Sequence, residues 1–184
     1  TIAKDVKIQI EFNPAQVAAY RLIGYENRLL AAEDFNDDKK DAGEIGAGHT
    51  VTALYETVPA GGKVDLPAVD PLKYQAQAAP GGNQAASNEL LTLKLRYKEP
   101  EEDSSKLLEF PLVDGKAPFG RASADFQFAS AVASFGMLLR GSEHKGSGSY
   151  QAVLEIAESA KGADKHGYRA EFVEIVRRAE ALAE

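Results

Sequence analysis

From Val6 to Phe12 the chain alternates strictly, with Val6, Ile8, Ile10 and Phe12 on one side and Lys7, Gln9 and Glu11 on the other. This is the period of a strand with one buried face, and Asn13-Pro14 closes it with turn chemistry, predicting a strand over 5–12. Tyr20 to Ile23 predicts a second short strand that pairs back on the first as a hairpin, and Thr50 to Val58 a third. The clearest alternation sets Leu91, Leu93, Leu95 and Tyr97 against Thr92, Lys94, Arg96 and Lys98, which predicts a central strand with the leucines buried and an unusually basic wet face. Leu107 to Val113 is the fifth strand, and Pro111 within it argues for an edge or a bulge.

At Ser123 the period changes. Phe128, Ala131, Val132, Phe135, Leu138 and Leu139 recur at helical spacing, with Gly141 placed to cap the C-terminus. Phe126, Ala129, Ala133 and Met137 add a neighbouring apolar face, so this helix is expected to be covered on nearly every side. Any part left over would be an interaction surface, with Phe126, Phe128, Phe135 and Met137 as its candidate residues. A second helix follows Ser149, a plausible N-cap, and runs until Gly162; the third carries Tyr168, Phe172, Ile175, Val176, Ala179 and Leu182. The predicted fold is α+β: an antiparallel sheet or partial β-sandwich of about five strands, followed by a C-terminal layer of three helices. It is read as a single domain over 1–184, β-rich over 1–118 with a long Gly/Pro/Ala/Gln-rich excursion over 60–88, and helical over 119–184.

With 184 residues, 44% of them hydrophobic, the chain can bury a real core, which argues against disorder. A net charge of −7 and a sequence pI of about 5.1 remove the attraction to phosphate that sequence-independent nucleic-acid binding needs. No apolar run reaches the length of a membrane-spanning helix, and the residues from Thr1 onward show neither an initiator Met nor a targeting peptide, so the chain reads as an internal or C-terminal piece of a longer protein. Cysteine is absent, which excludes disulfides, thiolate metal sites and a cysteine nucleophile.

The most pointed chemical signal is the acidic run over 33–44. Asp34, Asn36 and Asp38 are spaced like the first three oxygen donors of an EF-hand loop, but Lys39 replaces the glycine and Ile45 the terminal bidentate Glu. The run is read as a solvated acidic loop, with a calcium- or ligand-binding site, or an acidic docking surface, as the alternatives. Ser142 and Lys145 match S-x-x-K, yet the S-D-N and K-T-G partners of that chemistry are missing, so a Ser/Lys hydrolase is the weakest reading. His49, His144 and His166 are scattered, and Gly43, Gly46 and Gly48 form a turn without a phosphate-loop Lys.

Several runs taken together resemble one bacterial family. They are Val6 to Pro14, Tyr20 to Arg28, Glu33-Asp34-Phe35 with Asp41 to Glu56, Leu93 with Arg96-Tyr97-Lys98, Asp125-Phe126 with Ala133 to Arg140, and Gly167 to Phe172. The chain is similar to the C-terminal domain that follows the von Willebrand factor type A domain in YfbK-type proteins. The resemblance implies a type A domain upstream of Thr1 and a bacterial envelope location, periplasmic or at the cell surface, with a lipid anchor in the upstream part. It supplies no adhesion-site residue, since Asp103-Ser104-Ser105-Lys106-Leu107 departs from D-x-S-x-S at Leu107. The expected function is a non-catalytic protein-interaction or structural module without cofactor, whose partners are the type A domain of the same chain and a further protein.

Overall fold

Strand β1 (Ala3–Phe12) lies inside a four-stranded antiparallel sheet in which β5 (Glu89–Lys98) is its neighbour on one side and the short β3 (Gly43–Ile45) on the other, with β6 (Lys106–Val113) outermost beside β5. A separate antiparallel ribbon joins β2 (Val17–Ile23) to β4 (Leu54–Pro59). The computed structural model describes residues 1–25, 29–62 and 87–183. They fall into two units, Thr1–Gly115 with all six strands and Lys116–Glu184 with three helices, so the fold is α+β as the change of period predicts. Most of the predicted excursion over 60–88, namely 63–86, lies outside the described residues.

The predicted hairpin between β1 and β2 does not form. Asn13 donates through Nδ2 to the carbonyls of Ser87 (3.2 Å) and Glu89 (2.8 Å), while its Oδ1 accepts from Ala15 N–H (3.0 Å). One side chain therefore caps the turn and ties it to the start of β5, which takes the place beside β1 where β2 was expected. The chain leaves the sheet and β2 finds β4 instead. The two layers meet through Phe12, which stacks on Tyr20 at 4.3 Å between centroids and lies edge-on to Tyr55 at 5.4 Å. Strand β4 begins at Leu54, later than the predicted Thr50, and β3 was missed because three residues carry no period. Pro111 sits in the outermost strand, as a residue with no N–H to donate requires.

In the second unit α1 (Ala124–Leu139), α2 (Tyr150–Ser159) and α3 (Tyr168–Ala183) enclose one core of Ala131, Phe135, Val153, Leu154, Ala157, Val173 and Val176. Ser149 and Gly141 cap as the sequence signals, and Ser123, where the period changes, is a further N-cap. Ser123 and Ser149 accept from Phe126 N–H and Ala152 N–H, both at 3.2 Å, and α1 ends with Gly141 at φ 59°. There Gly141 N–H reaches Leu138 O and Ser142 N–H reaches Met137 O, the paired closing bonds of a Schellman motif.

Helix α1 is not covered on nearly every side: Phe126, Val132 and Leu139 are 47%, 42% and 58% exposed. Only Ala131 and Phe135 of α1 are fully buried, because a three-helix layer closes on a single stripe. Phe135, edge-on to Phe172 and Tyr150, therefore belongs to the core and is not a surface residue. Phe128 and Met137 are half-buried, and Phe126 is the one exposed member of the predicted quartet. Denaturant melts followed by circular dichroism are expected to show a loss of about 3–5 kcal/mol for Phe135→Ala and a change within about 0.5 kcal/mol for Leu139→Ala. Equal effects would mean that the packed stripe has been misplaced.

Candidate functional site

The two faces of the four-stranded sheet have opposite chemistry, and register explains it. Ile8, Ile10 and Phe12 pair with Leu95, Leu93 and Leu91, which pair in turn with Leu108, Phe110 and Leu112. Paired residues share a face, so three rows of apolar side chains lie together. The other face carries Lys4, Lys7, Lys94, Arg96 and Lys98. Between Lys4 and Lys7 the β1 ladder holds one residue more than β5 does, and in this bulge Asp5 adopts φ 52°.

The acidic run lies against the basic face. Phe35, 5% exposed within the short 3-10 turn Ala32–Asn36, has the Arg96 guanidinium 5.5 Å from its ring centroid. Arg96 donates from Nη2 to Asn36 Oδ1 and from Nη1 to Ser105 Oγ, both at 2.9 Å, and Ser105 donates to Asp38 Oδ1 at 2.5 Å. Lys98 donates to Asp5 Oδ2 (2.7 Å) and Asp38 O (2.6 Å), and Lys7 donates to Asp37 O. Two lysines expected on the wet face are thus among the most enclosed residues, Lys7 at 3% and Lys98 at 8% exposure. Buried ammonium groups demand such partners.

The three predicted oxygen donors diverge. Asp34 pairs with Lys40 at 3.0 Å, Asn36 accepts from Arg96, and Asp38 accepts from Ser105. They converge on no common centre, and among the described residues no group of three or more metal-ligating side chains exists. The acidic loop is folded against the protein's own cations, while Glu33 and Asn36 to Asp41 keep exposed side chains, so it is solvated on its outer side. Hydrogen bonding from Lys98 holds the Asp5 carboxyl below its ordinary value, and Ser105 does the same for Asp38; the Asp5 bond also raises Lys98.

Elsewhere, Ser142 Oγ accepts from His144 N–H at 3.2 Å and caps a single 3-10 turn, Glu143–Lys145. A cleft of about 460 Å³ in the helical unit is lined by Asp125, Lys161, Asp164, His166, Tyr168 and Arg169 among others. Three of its charged groups are engaged within the unit. Asp164 accepts from the N–H groups of Arg169 (3.1 Å) and Ala170 (2.8 Å), and Arg169 binds Asp125 and the Ala160 carbonyl (3.0 Å) while lying 4.8 Å over Phe128.

Among the described residues, what is left open is the part of the apolar face beyond Phe12, which Tyr20 and Tyr55 cover. Ile8, Leu108, Phe110 and Leu112 are 41–51% exposed, and Leu91, Leu93, Leu95 and Tyr97 only half-buried. The leucines predicted to form a buried row therefore line a surface. Sequence reading missed Asp5, Lys7, Arg96, Lys98 and Ser105, although the basic stripe on β5 and the acidic run were complementary signals within one chain.

The chain thus contains an α+β fold with one sheet face strapped by its own acidic loop and the other apolar. Residues 1–182 match the family described as "Uncharacterized protein YfbK, C-terminal", and the chain belongs to that family. It is 45% identical over 187 residues to the Escherichia coli (strain K12) protein described as "Uncharacterized protein YfbK", an alignment covering 100% of this chain and 31% of that relative. The chain thus spans about a third of the length of the curated relative it matches. No solved structure matches it.

Millimolar calcium is expected to move the melting temperature by less than about 1 °C, since the loop offers no shared coordination centre. A rise of several degrees that disappears in Asp34→Ala with Asp38→Ala would contradict this. The lowered Asp5 carboxyl makes a stabilising contribution that is whole above about pH 4 and is lost as pH falls through the depressed value. Raised Lys98 contributes below about pH 10 and fades as pH climbs through its elevated value. Urea midpoints at pH 7 and pH 3 are therefore expected to differ less in Asp5→Asn than in the parent chain; an unchanged difference would show that the pair contributes nothing.

Proposed function

We propose that this domain is a non-catalytic protein-interaction module that accompanies a von Willebrand factor type A domain in the same polypeptide, in the bacterial envelope. The observation that carries the interaction reading is the apolar face of the sheet. Ile8, Ile10, Leu93, Leu95, Leu108, Phe110 and Leu112 form a continuous surface without a charge among them. A patch of that kind marks a place where another protein surface is bound. The strapped face supports the same reading, because the polar groups most suggestive of chemistry are consumed by contacts within the domain.

The type A association and the envelope location rest on the family resemblance, and the greater length of the E. coli relative leaves room for a further domain. Surface complementarity is the mechanism: the module shapes how the type A domain meets its own partner. Titration calorimetry of this chain against the separately expressed remainder of the E. coli relative is expected to give saturable binding at micromolar concentration, about −8 kcal/mol. Absence of binding up to about 1 mM, some −4 kcal/mol, would sink the reading.

A further inference from the structure

We infer that the apolar face of the four-stranded sheet is a homodimer interface, closed by the same face of a second copy. The inference rests on the interaction reading in taking this face as a docking surface, and goes beyond it in naming the occupant.

Size is the first argument. Phe110 and Leu112 are 50% and 51% exposed, Ile8 47% and Leu108 41%, with half-buried leucines between them. Covering them removes on the order of 600 Å² from each copy and about 1,200 Å² in all, which reaches the lower edge of specific stable interfaces. Chemistry is the second. Across the three strands this face holds aliphatic and aromatic residues, and the one charge on it among the described residues, Lys106, which pairs with Tyr97 at the end of β6, is turned to Glu99 (3.1 Å) and Glu102 (3.4 Å). Transient contacts between different proteins are about as polar as ordinary surface, whereas homodimer interfaces are the apolar ones. Shape is the third, since two antiparallel sheets stack face to face at about 10 Å with their strands about 30° apart, so a sheet face is complementary to its own copy.

Each chain carries −7, so two copies repel at long range while their contact is apolar apart from Lys106 at its edge. Added salt should therefore tighten the dimer, the reverse of an ion-paired interface. Dimerisation would present two type A domains side by side, raising avidity for a repeated partner.

Sedimentation velocity of the full 184-residue chain over about 1–100 µM, a range that brackets micromolar affinity, is the test. The expected result is a monomer–dimer equilibrium that shifts toward dimer with salt. Phe110→Glu is expected to weaken it about a hundredfold, some 2.7 kcal/mol. Leu107→Glu, on the same strand but the opposite face and 42% exposed, is expected to leave it unchanged. Circular dichroism checks that both variants fold, and Leu112→Lys replaces Phe110→Glu if that variant does not. A parent chain that stays monomeric overturns the dimer, as does equal weakening by the two faces or dissociation by salt. If that monomer still binds the remainder of the relative, the interaction reading survives; if it binds nothing, both fall.

Discussion

The β unit depends on how two enclosed lysines find hydrogen-bond partners. Lys7 and Lys98 stand on neighbouring strands of one sheet face, too deep for water to solvate them fully, and the chain supplies their partners from two places. A bulge in β1 turns Asp5 toward Lys98, and the acidic run offers the carbonyls of Asp37 and Asp38. Because a buried cation without a partner is so costly, these contacts set the position of the loop more tightly than its own sequence could. Ser105 and Arg96 extend the network to Asp38 and Asn36, and Phe35 closes beneath the guanidinium.

One consequence is functional. A loop whose oxygens are occupied by Lys40, Arg96, Lys98 and Ser105 is a strap that holds a sheet face shut. The basic residues of β5 are likewise spent, which removes them as a docking site for an acidic partner. With one face closed by charge, the opposite face carries whatever the sheet offers to the outside, and it is apolar. The helical unit shows the same economy at smaller scale: Arg169 joins the end of α2 to Asp125 at the start of α1 and stacks on Phe128, while Asp164 caps α3.

Five of the six described strands, the three helices and two of their caps were legible because each rests on signals a few residues long. Period two gave β1 and β5, Ser123 and Ser149 marked helix starts, and Gly141 marked an end that only a residue tolerant of positive φ makes without strain. The α+β class and the edge place of the strand containing Pro111 followed from the same local chemistry. Family membership was also written in the residues, over nearly the whole chain.

What tertiary structure alone decided was which side of each element is inside. Alternation along β5 separates leucines from basic residues but does not say which set is covered, and Lys98 proved more enclosed than the leucines because an acidic loop some 60 residues away folds onto it. Asp5 and Lys98 are 93 residues apart, and a three-residue strand such as β3 exists only because β1 is there to pair with it. Helix α1 has apolar residues around most of its circumference, yet the three-helix layer buries Ala131 and Phe135 and leaves Val132 and Leu139 exposed. Local propensity acts over a turn or a strand, whereas burial and charge pairing are settled by contacts between segments far apart in sequence, so the chain announces its elements and only its fold assigns their faces.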